Sequence, residues 1–455
     1  MEDMKVFQFK KTKSWEIGRK VKLIAVAGAS ALTIPLAAQQ TKYVSLENAL
    51  NIAVTNNANI YIAEMDRKVS NADYHQTDAV FLPQVSVGYT AMATTNPLNA
   101  FGFLLQHKVV TSQDFDPSKL NDPGVSQDYA ASVDVKMPLV NMDMIYARKG
   151  AKLQDDMYKH KLQYTKDYIQ FEVEKAYTQL QFAYKQKAVL ELTMDAVQQI
   201  YRSVKGFYEQ GLVQKSDLLS AQVQVNTMES VLTKSKSNIE NASDGLKLLM
   251  GEKDLDGVAI LTDSLERKQM NFGNSGFSLL RSDLMAMQKA LDASDMMVKS
   301  SAMRFLPKIN AFGTYQFNDP QIFRFKSNSY LAGISLSWTL FSGNQNRSKL
   351  RSAIFQRDRM KKEMELYVDK SKIEVDKTTR DLMDAEVEMK KQETSVEQAA
   401  EAFRILSDRF KEGLTNTTDL LTAQTRLLQH RLSLAQAVMS YNITQSYQKL
   451  LTTIK

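Results

Sequence analysis

The residue types that carry most protein chemistry are few in this chain, and they form no catalytic pattern. There is no cysteine, and the four histidines, His75, His107, His160 and His430, are far apart in the sequence. Neither a phosphate-binding loop nor a pair of histidines at metal-ligand spacing is present. We therefore expect no enzyme, no cofactor and no metal site, and an exported enzyme that uses the chain as a scaffold is a disfavoured alternative.

Methionine is the remaining residue type with metal-binding chemistry. Met137, Met142 and Met144 lie close together among the 22 methionines of the chain. Thioethers select soft ions such as Cu(I), but methionine also fills irregular gaps in apolar cores. Core packing is the favoured interpretation, and an export duct for copper or silver is the weaker alternative.

Two carboxylates occupy equivalent places in a repeated sequence. The pattern Tyr-Glu-Gln-Gly-Leu at 208–212, with Ser-Asp-Leu-Leu at 216–219, returns as Phe-Lys-Glu-Gly-Leu at 410–414, with Thr-Asp-Leu-Leu at 418–421. Asp217 and Asp419 are therefore counterparts in an internal duplication. The simpler interpretation of each is a first-turn charge that the helix dipole favours by about 0.3–1 kcal/mol. A ring of such carboxylates around a symmetry axis would also attract cations.

The spacing between matching residues locates one insertion and divides the chain into repeats. Phe-Leu-Pro at 81–83 returns at 305–307, which is 224 residues later, whereas Pro138 and its counterpart Thr339 are 201 residues apart. The first copy therefore has about 23 extra residues between Pro83 and Pro138. We predict a first repeat at 39–270 and a second repeat at 271–455.

The longest segments have the heptad period of a coiled coil. Apolar residues are spaced alternately four and three before the first tip, as in Tyr208, Val204, Tyr201 and Val197, and the second copy repeats this register. A sustained period of 3.5 residues predicts helices that pack side by side at a shallow angle. The segment 345–411 has 67 residues, which predicts a helix roughly 100 Å long.

A tight turn is expected between two long helices at 211–216 and again at 413–418. Gly211 and Gly413 suit the left-handed position that ends a helix. Ser216 and Thr418 are expected to cap the helix that follows. Each repeat therefore predicts a helix, a β-hairpin and a long helical hairpin, in that order.

Four segments between the helices alternate with a period of two, which predicts two β-hairpins at about 83–141 and 307–342. Each strand has about ten residues, the length that crosses a bilayer when tilted. Pro83 and Pro307 are expected to break the incoming helix before each hairpin. A half-buried sheet in a soluble protein is the alternative for any single segment. The residues expected to face lipid are Val85, Val87, Tyr89, Val133, Val135, Ile309, Tyr315, Ile334, Leu336 and Trp338.

Four strands cannot close a barrel by themselves. An open sheet edge in hydrocarbon leaves backbone N–H and C=O groups unpaired, at several kcal/mol each. We therefore expect an oligomer in which two, three or four copies supply eight, twelve or sixteen strands, and the residues alone leave that number open. The expected fold is an α+β membrane protein whose β-barrel is extended by a tube of coiled-coil helical hairpins, an α-barrel.

The composition indicates a large exported protein. The 455 residues are 44% hydrophobic and 24% charged, and residues 1–38 supply four of the net charge of +7. The small surplus of positive charge in the rest of the chain does not indicate a basic surface that would bind nucleic acid. Residues 1–38 begin with basic side chains and end with an uncharged run at 23–38, which predicts a cleaved export signal. A membrane anchor is the alternative, although the run is short for a span.

These motifs together resemble the TolC family of outer-membrane efflux proteins, or outer-membrane factors. The resemblance rests on the duplication, the Phe-Leu-Pro segments, the Gly-Leu tips followed by Asp-Leu-Leu, and Leu-Phe-Ser-Gly at 340–343 before Arg347. Residues 96–102 and 114–117 are also similar to the first external loop of some members. The resemblance implies a homotrimer with a twelve-stranded barrel in the Gram-negative outer membrane and a periplasmic helical tunnel that is closed at its far end.

The resemblance also implies partners and a mechanism. A periplasmic adaptor and an inner-membrane pump would make the chain the exit duct of a tripartite efflux or type I secretion system. The tips that contact the adaptor would be Gly211, Leu212, Val213, Gly413 and Leu414. The channel aperture would be formed by Asp217, Asp419, Ser216, Phe410, Thr415 and Thr422.

Three aperture positions depart from the pattern of well-studied family members. Phe410 replaces a tyrosine and Thr415 replaces an arginine that lock neighbouring hairpins, and Thr422 replaces a second aspartate. A less strongly locked closed state is therefore expected. A periplasmic adaptor or another structural coiled coil is the alternative function, although such a protein would lack lipid-facing strands and would typically have one helical hairpin per chain.

Overall fold

The computed structural model describes residues 43–252, 257–268 and 276–452. The export signal predicted at 1–38 and the repeat boundary predicted at 270–271 lie outside the described residues. The described segments belong to one compact unit, so the two repeats pack against each other and do not form separate domains.

The described elements of the first repeat begin with a short strand and two helices, continue with a strand pair that has two more short helices between its strands, and end with a long helical hairpin and a second short strand. They are β1 (Tyr43–Val44), α1 (Leu46–Asn56), α2 (Ala58–Gln76), β2 (Gln84–Thr94), α3 (Pro97–His107), α4 (Pro117–Asn121), β3 (Ser126–Val140), α5 (Met142–Glu209), α6 (Lys215–Met250) and β4 (Ile260–Leu261). Two single 3-10 turns, Thr77–Val80 and Ser112–Phe115, complete this half. Strands β1 and β4 pair in parallel.

The second repeat has the same order with fewer additions. Its elements are α7 (Ser282–Met303), β5 (Lys308–Asp319), β6 (Ser327–Ser337), α8 (Gln345–Lys411) and α9 (Thr417–Thr452). The extra length of the first copy falls between its strands, because residues 95–125 connect β2 to β3 and include α3 and α4, whereas residues 320–326 alone connect β5 to β6.

The heptad pattern becomes the buried stripe of the long helices. Helix α5 has 68 residues and α8 has 67, and at a rise of 1.5 Å per residue each is about 100 Å long. In α5, Val204, Val197 and Leu190 are seven residues apart and are all fully buried. Helix α5 packs against α6, α7 and α9, and α8 packs mainly against α9. None of the helices in the described part of the chain combines the length and the apolar character needed to cross a bilayer.

The four longer strands form one antiparallel sheet in the order β2-β3-β5-β6. Proline has no N–H to donate to a neighbouring strand, and the register of β3 against β5 shifts by one residue between Pro138 and Val140. Pro83 and Pro307 come directly before β2 and β5, but α2 and α7 have already ended at Gln76 and Met303. These prolines therefore lie just before the strands and do not end the helices. The prediction that Pro83 and Pro307 break the incoming helices is wrong.

One close backbone contact joins the end of α6 to the end of α1. Gly251 caps α6 with a φ of +70°, and a Cβ at this position would collide with the backbone carbonyl of Asn56. The adjacent Asn57 donates from Nδ2 to the carbonyl oxygen of Leu249 at 2.7 Å. The site therefore requires glycine both for its backbone conformation and for the space it leaves to α1.

We expect Gly251→Ala to destabilise the protein more than Gly413→Ala. Gly413 has nearly the same φ, +72°, but no atom within 4 Å of a built Cβ, so alanine there adds only the left-handed strain of about 1–2 kcal/mol. Alanine at 251 adds that strain and displaces Asn56. The unfolding temperature in detergent, followed by far-ultraviolet circular dichroism, measures both effects, and equal shifts would contradict the proposed collision.

Candidate functional site

The strand register places the residues predicted to face lipid on one face of the sheet. Val87 pairs with Val133, which pairs in turn with Tyr315, and directly paired residues share a face. Val87 is 78% exposed and Ile334 is 70% exposed. We call this surface the apolar face: Val85, Val87, Tyr89, Val133, Val135, Ile309, Tyr315, Ile334 and Leu336. Trp338 lies one residue beyond β6, and its indole N–H donates to the carbonyl of Phe305 at 2.9 Å.

The opposite surface, the polar face, carries most of the hydrophilic strand residues. Its members include Gln84, Ser86, Asp128, Ser132, Asp134, Lys136, Thr314, Gln316 and Asn318. Asp134 accepts hydrogen bonds from the hydroxyls of Thr314 at 2.7 Å and Ser132 at 3.0 Å. Phe312 and Leu331 are apolar exceptions on this face. The sheet therefore has one dry surface and one surface suited to water.

Aromatic side chains lie at both ends of the apolar face. At the loop end, Phe323 stacks on Tyr89 with ring centroids 5.0 Å apart, and Phe325 contacts Phe317 at 6.0 Å. At the helical end, Trp338 and Phe81 are more than half exposed. Two such girdles commonly border the apolar band of a membrane barrel.

The two helical tips share one backbone geometry. Gly211 and Gly413 have φ values of +73° and +72°, and the amide of the leucine after each one donates back to α5 or α8, at 2.9 Å for Leu212 and 2.8 Å for Leu414. These leucines are 68% and 66% exposed. Val213 is half-buried and packs inward. Each tip therefore presents one leucine to its surroundings.

The helices after the tips begin earlier than predicted. Helix α6 begins at Lys215, and the carboxylate of Asp217 accepts the amide of Gln214 at 3.1 Å. Helix α9 begins at Thr417, and the amide of Asp419 donates to the side chain of Asn416 at 2.7 Å. Ser216 and Thr418 are therefore inside the first turn, and the prediction that they cap these helices is wrong.

The two equivalent aspartates have different surroundings. Asp217 is half-buried and held by the backbone of its own helix. Asp419 is exposed, and its nearest side-chain partner is the hydroxyl of the half-buried Thr415 at 3.5 Å. Ser216 and Thr422 are also exposed. Of the two carboxylates, Asp419 is the freer one to act on ions.

Phe410 is buried inside the chain, although it was predicted at the aperture. It is 4% exposed and packs edge-to-face on Phe207 with centroids 5.5 Å apart. Its heptad position places it in a cluster that joins all four long helices, which we call the tip cluster: Ile200, Val204, Ala221, Phe410 and Leu420. Phe410 therefore supports the tips from within and does not face the solvent.

Ion pairs cover the last turns of α8. Arg404 bonds to Glu401 at 2.8 Å and to Asp408 at 3.2 Å, and Asp408 also accepts from Lys411 at 3.2 Å. The hydrogen bonds from Arg404 lower the pKa of the Glu401 carboxyl. These pairs are exposed, so they contribute little to stability. They hold the charged side chains of the last turns of α8 in place next to the second tip.

Two buried polar clusters had no signal in the local sequence. His107 Nε2 lies 2.8 Å from Asp128 Oδ1, and Asn318 donates to Asp128 Oδ2 at 2.9 Å. At the start of α7, Arg281 pairs with Asp283, which also accepts the hydroxyl of Tyr367 at 2.8 Å. Burial and the hydrogen bond to Asp283 raise the pKa of Tyr367. His107 therefore has a carboxylate partner that its position in the sequence did not predict.

No arrangement for a metal ion is found among the side chains that the structure describes, as far as groups of three or more His, Cys, Asp or Glu are concerned. The methionines considered for soft-metal binding are divided between two elements. Met137 belongs to β3, whereas Met142 and Met144 lie in the first turn of α5.

A sheet with one apolar and one polar face, continued by two helical hairpins whose longest helices are about 100 Å long, suits a subunit of a membrane barrel that extends into a helical tube. The family model described as outer membrane efflux protein matches residues 49–252 and 279–454. The chain belongs to the outer membrane efflux protein family, and the resemblance seen in its motifs is confirmed.

Solved structures with the same fold include channels and outer membrane proteins of bacteria. CusC has a TM-score of 0.78 and 16% identity, over 91% of this chain and 94% of that one. The Campylobacter jejuni outer membrane channel CmeC has a TM-score of 0.78 and 15% identity, over 90% and 86%. The Vibrio cholerae outer membrane protein VceC has a TM-score of 0.75 and 15% identity, over 90% and 96%. At these identities the likeness concerns the fold. Comparison with curated protein sequences found no match.

We expect Asp419→Ala to reduce the cation selectivity of the channel in planar bilayers, because an exposed carboxylate at the tip would be lost. Asp381→Ala, which removes an exposed aspartate from the middle of α8, is the matched control. Asp217→Ala should also destabilise the start of α6 by about 0.3–1 kcal/mol, because Asp217 is a first-turn carboxylate. If Asp419→Ala and Asp381→Ala left selectivity equally unchanged, Asp419 would have no place in the aperture.

Proposed function

We propose that three copies of the chain form the exit duct of a tripartite efflux or type I secretion system. Each copy would supply four strands to a twelve-stranded barrel in the outer membrane and two helical hairpins to a tunnel in the periplasm. The observation that carries this proposal is the four-stranded sheet, which has one apolar face and ends at two strands, β2 and β6, whose outer edges have no partner in the described chain.

The dimensions of the sheet support a membrane location. Strands β2 and β6 have 11 residues each. At about 3.3 Å per residue and a tilt of roughly 40°, such a strand rises about 28 Å. The apolar band of an outer-membrane barrel is about 25 Å high and is bordered by aromatic side chains. The apolar face, with aromatic residues at both ends, fits that band.

The two open edges of the sheet support an assembly of several chains. Backbone groups along the outer edges of β2 and β6 would be unsatisfied in lipid, and closure of the barrel removes both edges at once. Pairing of β6 of one chain with β2 of the next satisfies every chain in the same way. The family resemblance supports three copies, and the polar face would then line the lumen.

Cysteine pairs can test the proposed pairing, because the chain has no native cysteine. We expect Val87→Cys to form disulfides between subunits with one position of β6, giving covalent trimers on a denaturing gel. The positions to pair with it lie on the same face of β6: Asn328, Tyr330, Ala332, Ile334 and Leu336. A water-soluble monomer in which no pair links two chains would contradict the proposed duct.

The tips support a contact with a periplasmic adaptor. Leu212 and Leu414 are exposed in the same geometry at the end of each helical hairpin. Equivalent apolar groups repeated around a ring would form regular docking points for the helical hairpins of a partner. Two hairpins and a membrane-type sheet in one chain favour the duct over the alternative of an adaptor. The choice of substrate would lie with the inner-membrane pump.

We expect Leu212→Asp with Leu414→Asp to abolish efflux while the trimer and its unfolding temperature stay unchanged, because the charges act only where the adaptor docks. The matched control is Leu192→Asp, which changes a leucine of α5 that is 63% exposed and far from the tips. Growth in the presence of a transported compound and cross-linking to the adaptor are the measurements. Normal efflux by the double variant would exclude the tip leucines as docking residues.

A further inference from the structure

Residues 320–326, which connect β5 to β6 and which we call the β5–β6 loop, fold over the apolar face of the sheet. The amide of Phe323 donates to the hydroxyl of Tyr89 in β2 at 3.2 Å, and the rings of the two residues stack. The connection between β2 and β3 lies on the other side, because its residue His107 contacts Asp128 on the polar face. The two connections therefore leave the sheet in opposite directions.

The β5–β6 loop is held in one strained shape. Phe323 and Phe325 have φ values of +59° and +50°. For a residue with a side chain, this left-handed conformation costs about 1–2 kcal/mol, and it persists only where surrounding contacts fix it. Here the buried carboxylate of Asp319 accepts the amides of Gln321 at 2.9 Å and Lys326 at 3.1 Å. The same side chain therefore fixes both ends of the loop.

The loop presents apolar and basic side chains together. Ile322 is 60% exposed and Phe323 is 67% exposed. Arg324 and Lys326 are exposed as well, and the guanidinium of Arg324 donates to the neutral amide oxygen of Gln321 at 2.9 Å. The sequence of residues 320–326 contains neither Asp nor Glu. Two positive charges thus lie beside apolar surface, a combination that suits a lipid with a negative headgroup.

The height of the loop on the sheet fits the outer border of a membrane. Phe317, which contacts Phe325, lies nine residues after Lys308 at the helical end of β5. At about 3.3 Å per residue and a tilt of roughly 40°, this distance is about 23 Å, close to the apolar band of about 25 Å. Irregular backbone exposed to lipid is excluded from hydrocarbon, so the loop belongs at the level of the headgroups.

We propose that the β5–β6 loop binds the phosphate groups of an anionic glycolipid in the outer leaflet of the outer membrane. Arg324 and Lys326 contact the phosphates, and Ile322 and Phe323 lie against the acyl chains. This inference rests on the proposed duct, which places the helices in the periplasm and therefore the loop end of the sheet at the outer surface.

The charge of the loop favours a phosphorylated glycolipid over a phospholipid. The phosphate of a zwitterionic phospholipid shares its headgroup with an ammonium group, which competes with Arg324 and Lys326. A phosphate monoester on a sugar has no such neighbour, and phosphate monoesters carry a charge of about −1.5 to −2 at pH 7, more than the single charge of a phosphodiester. The planar guanidinium of Arg324 can donate two parallel hydrogen bonds to one phosphate.

The stems of the two basic side chains fit the same position. Lysine and arginine lay their methylene groups along apolar surface while the charged end stays in a polar layer. With the ring of Phe323 fixed on Tyr89, Arg324 and Lys326 would start at the edge of the apolar face and reach outward to the headgroups. The loop would then hold the barrel at a defined depth in the outer leaflet.

Lipid binding to the purified trimer tests the phosphate contact. The probes are lipid A, which is a phosphorylated disaccharide glycolipid, the same lipid after enzymatic removal of its phosphates, and phosphatidylglycerol. Native mass spectrometry of delipidated trimers during titration gives the affinity for each probe. We expect lipid A to bind roughly tenfold more tightly than the other two, because its contacts are charge-assisted hydrogen bonds.

Variants of the loop test which residues are responsible. Arg324→Gln with Lys326→Gln should weaken the binding of lipid A roughly tenfold, and Arg324→Lys should have a smaller effect, because lysine keeps the charge but not the two parallel hydrogen bonds. The matched control is Lys119→Gln with Lys185→Gln, which removes the same charge from exposed positions in α4 and α5. The control should bind lipid A as the unchanged trimer does.

Spin labels test the position of the loop, because the chain has no native cysteine. A nitroxide on Ile322→Cys in a trimer reconstituted into bilayers should collide more often with oxygen, which concentrates in lipid, than with a water-soluble nickel chelate. The comparison is a nitroxide on Val125→Cys, an exposed position in the connection between β2 and β3. Equal collision ratios at the two positions would overturn the contact of the loop with lipid.

The outcomes separate the glycolipid site from the duct. Equal affinity for lipid A in the loop variant and in the control, or equal affinity for lipid A with and without its phosphates, would overturn the site and leave the duct intact. Binding of phosphatidylglycerol as tight as that of lipid A would overturn the choice of glycolipid. Absence of the trimer from the outer membrane would overturn the duct, and the site with it. If the double glutamine variant failed to assemble, the comparison of the two forms of lipid A on the unchanged trimer would still decide.

Discussion

The whole structure depends on the need of membrane strands to pair their backbone groups. Inside hydrocarbon no water can satisfy an N–H or C=O, and a sheet in the order β2-β3-β5-β6 leaves two edges open. One chain cannot remove those edges, so the proposed assembly of several chains follows from the hydrogen bonds of the sheet before any side chain at the interface is considered, and the family resemblance supports three copies. The apolar and polar faces then decide which surface meets lipid and which meets water.

The helices follow from the same geometry. Helix α5 begins directly after β3, and α8 begins a short distance after β6. If several chains arrange their strands symmetrically around an axis, their helical hairpins must therefore follow the same symmetry. Both tips can reach one plane only if the hairpins have equal lengths, and they do: 68 and 36 residues in the first, 67 and 36 in the second. The tip cluster, with Phe410 at its centre, then holds the two hairpins together where they end.

Local periodicity allowed the elements to be predicted, and long-range contacts limited the rest. A period of 3.5 in α8 and a period of two in β2 are properties of neighbouring residues, so the sequence alone identified the long helices, the strands and the tips. The burial of Phe410 depends on Phe207, and the pairing of His107 depends on Asp128 and on Asn318, which comes from the other repeat. The first helical residue of α9, Thr417, was missed because Asn416 before it is as good a cap signal as a threonine, whereas the glutamine before Lys215 is not a common cap signal.

The duplication also explains how the two ends of the molecule differ. In the proposed trimer, two similar hairpins per chain would give the tips an approximate sixfold repeat, in which the half-buried Asp217 and the exposed Asp419 alternate. At the loop end of the sheet the insertion in the first repeat breaks that equivalence, because α3 has no counterpart between β5 and β6. The proposed duct would therefore have approximate sixfold symmetry at its tips and only threefold symmetry at its outer mouth.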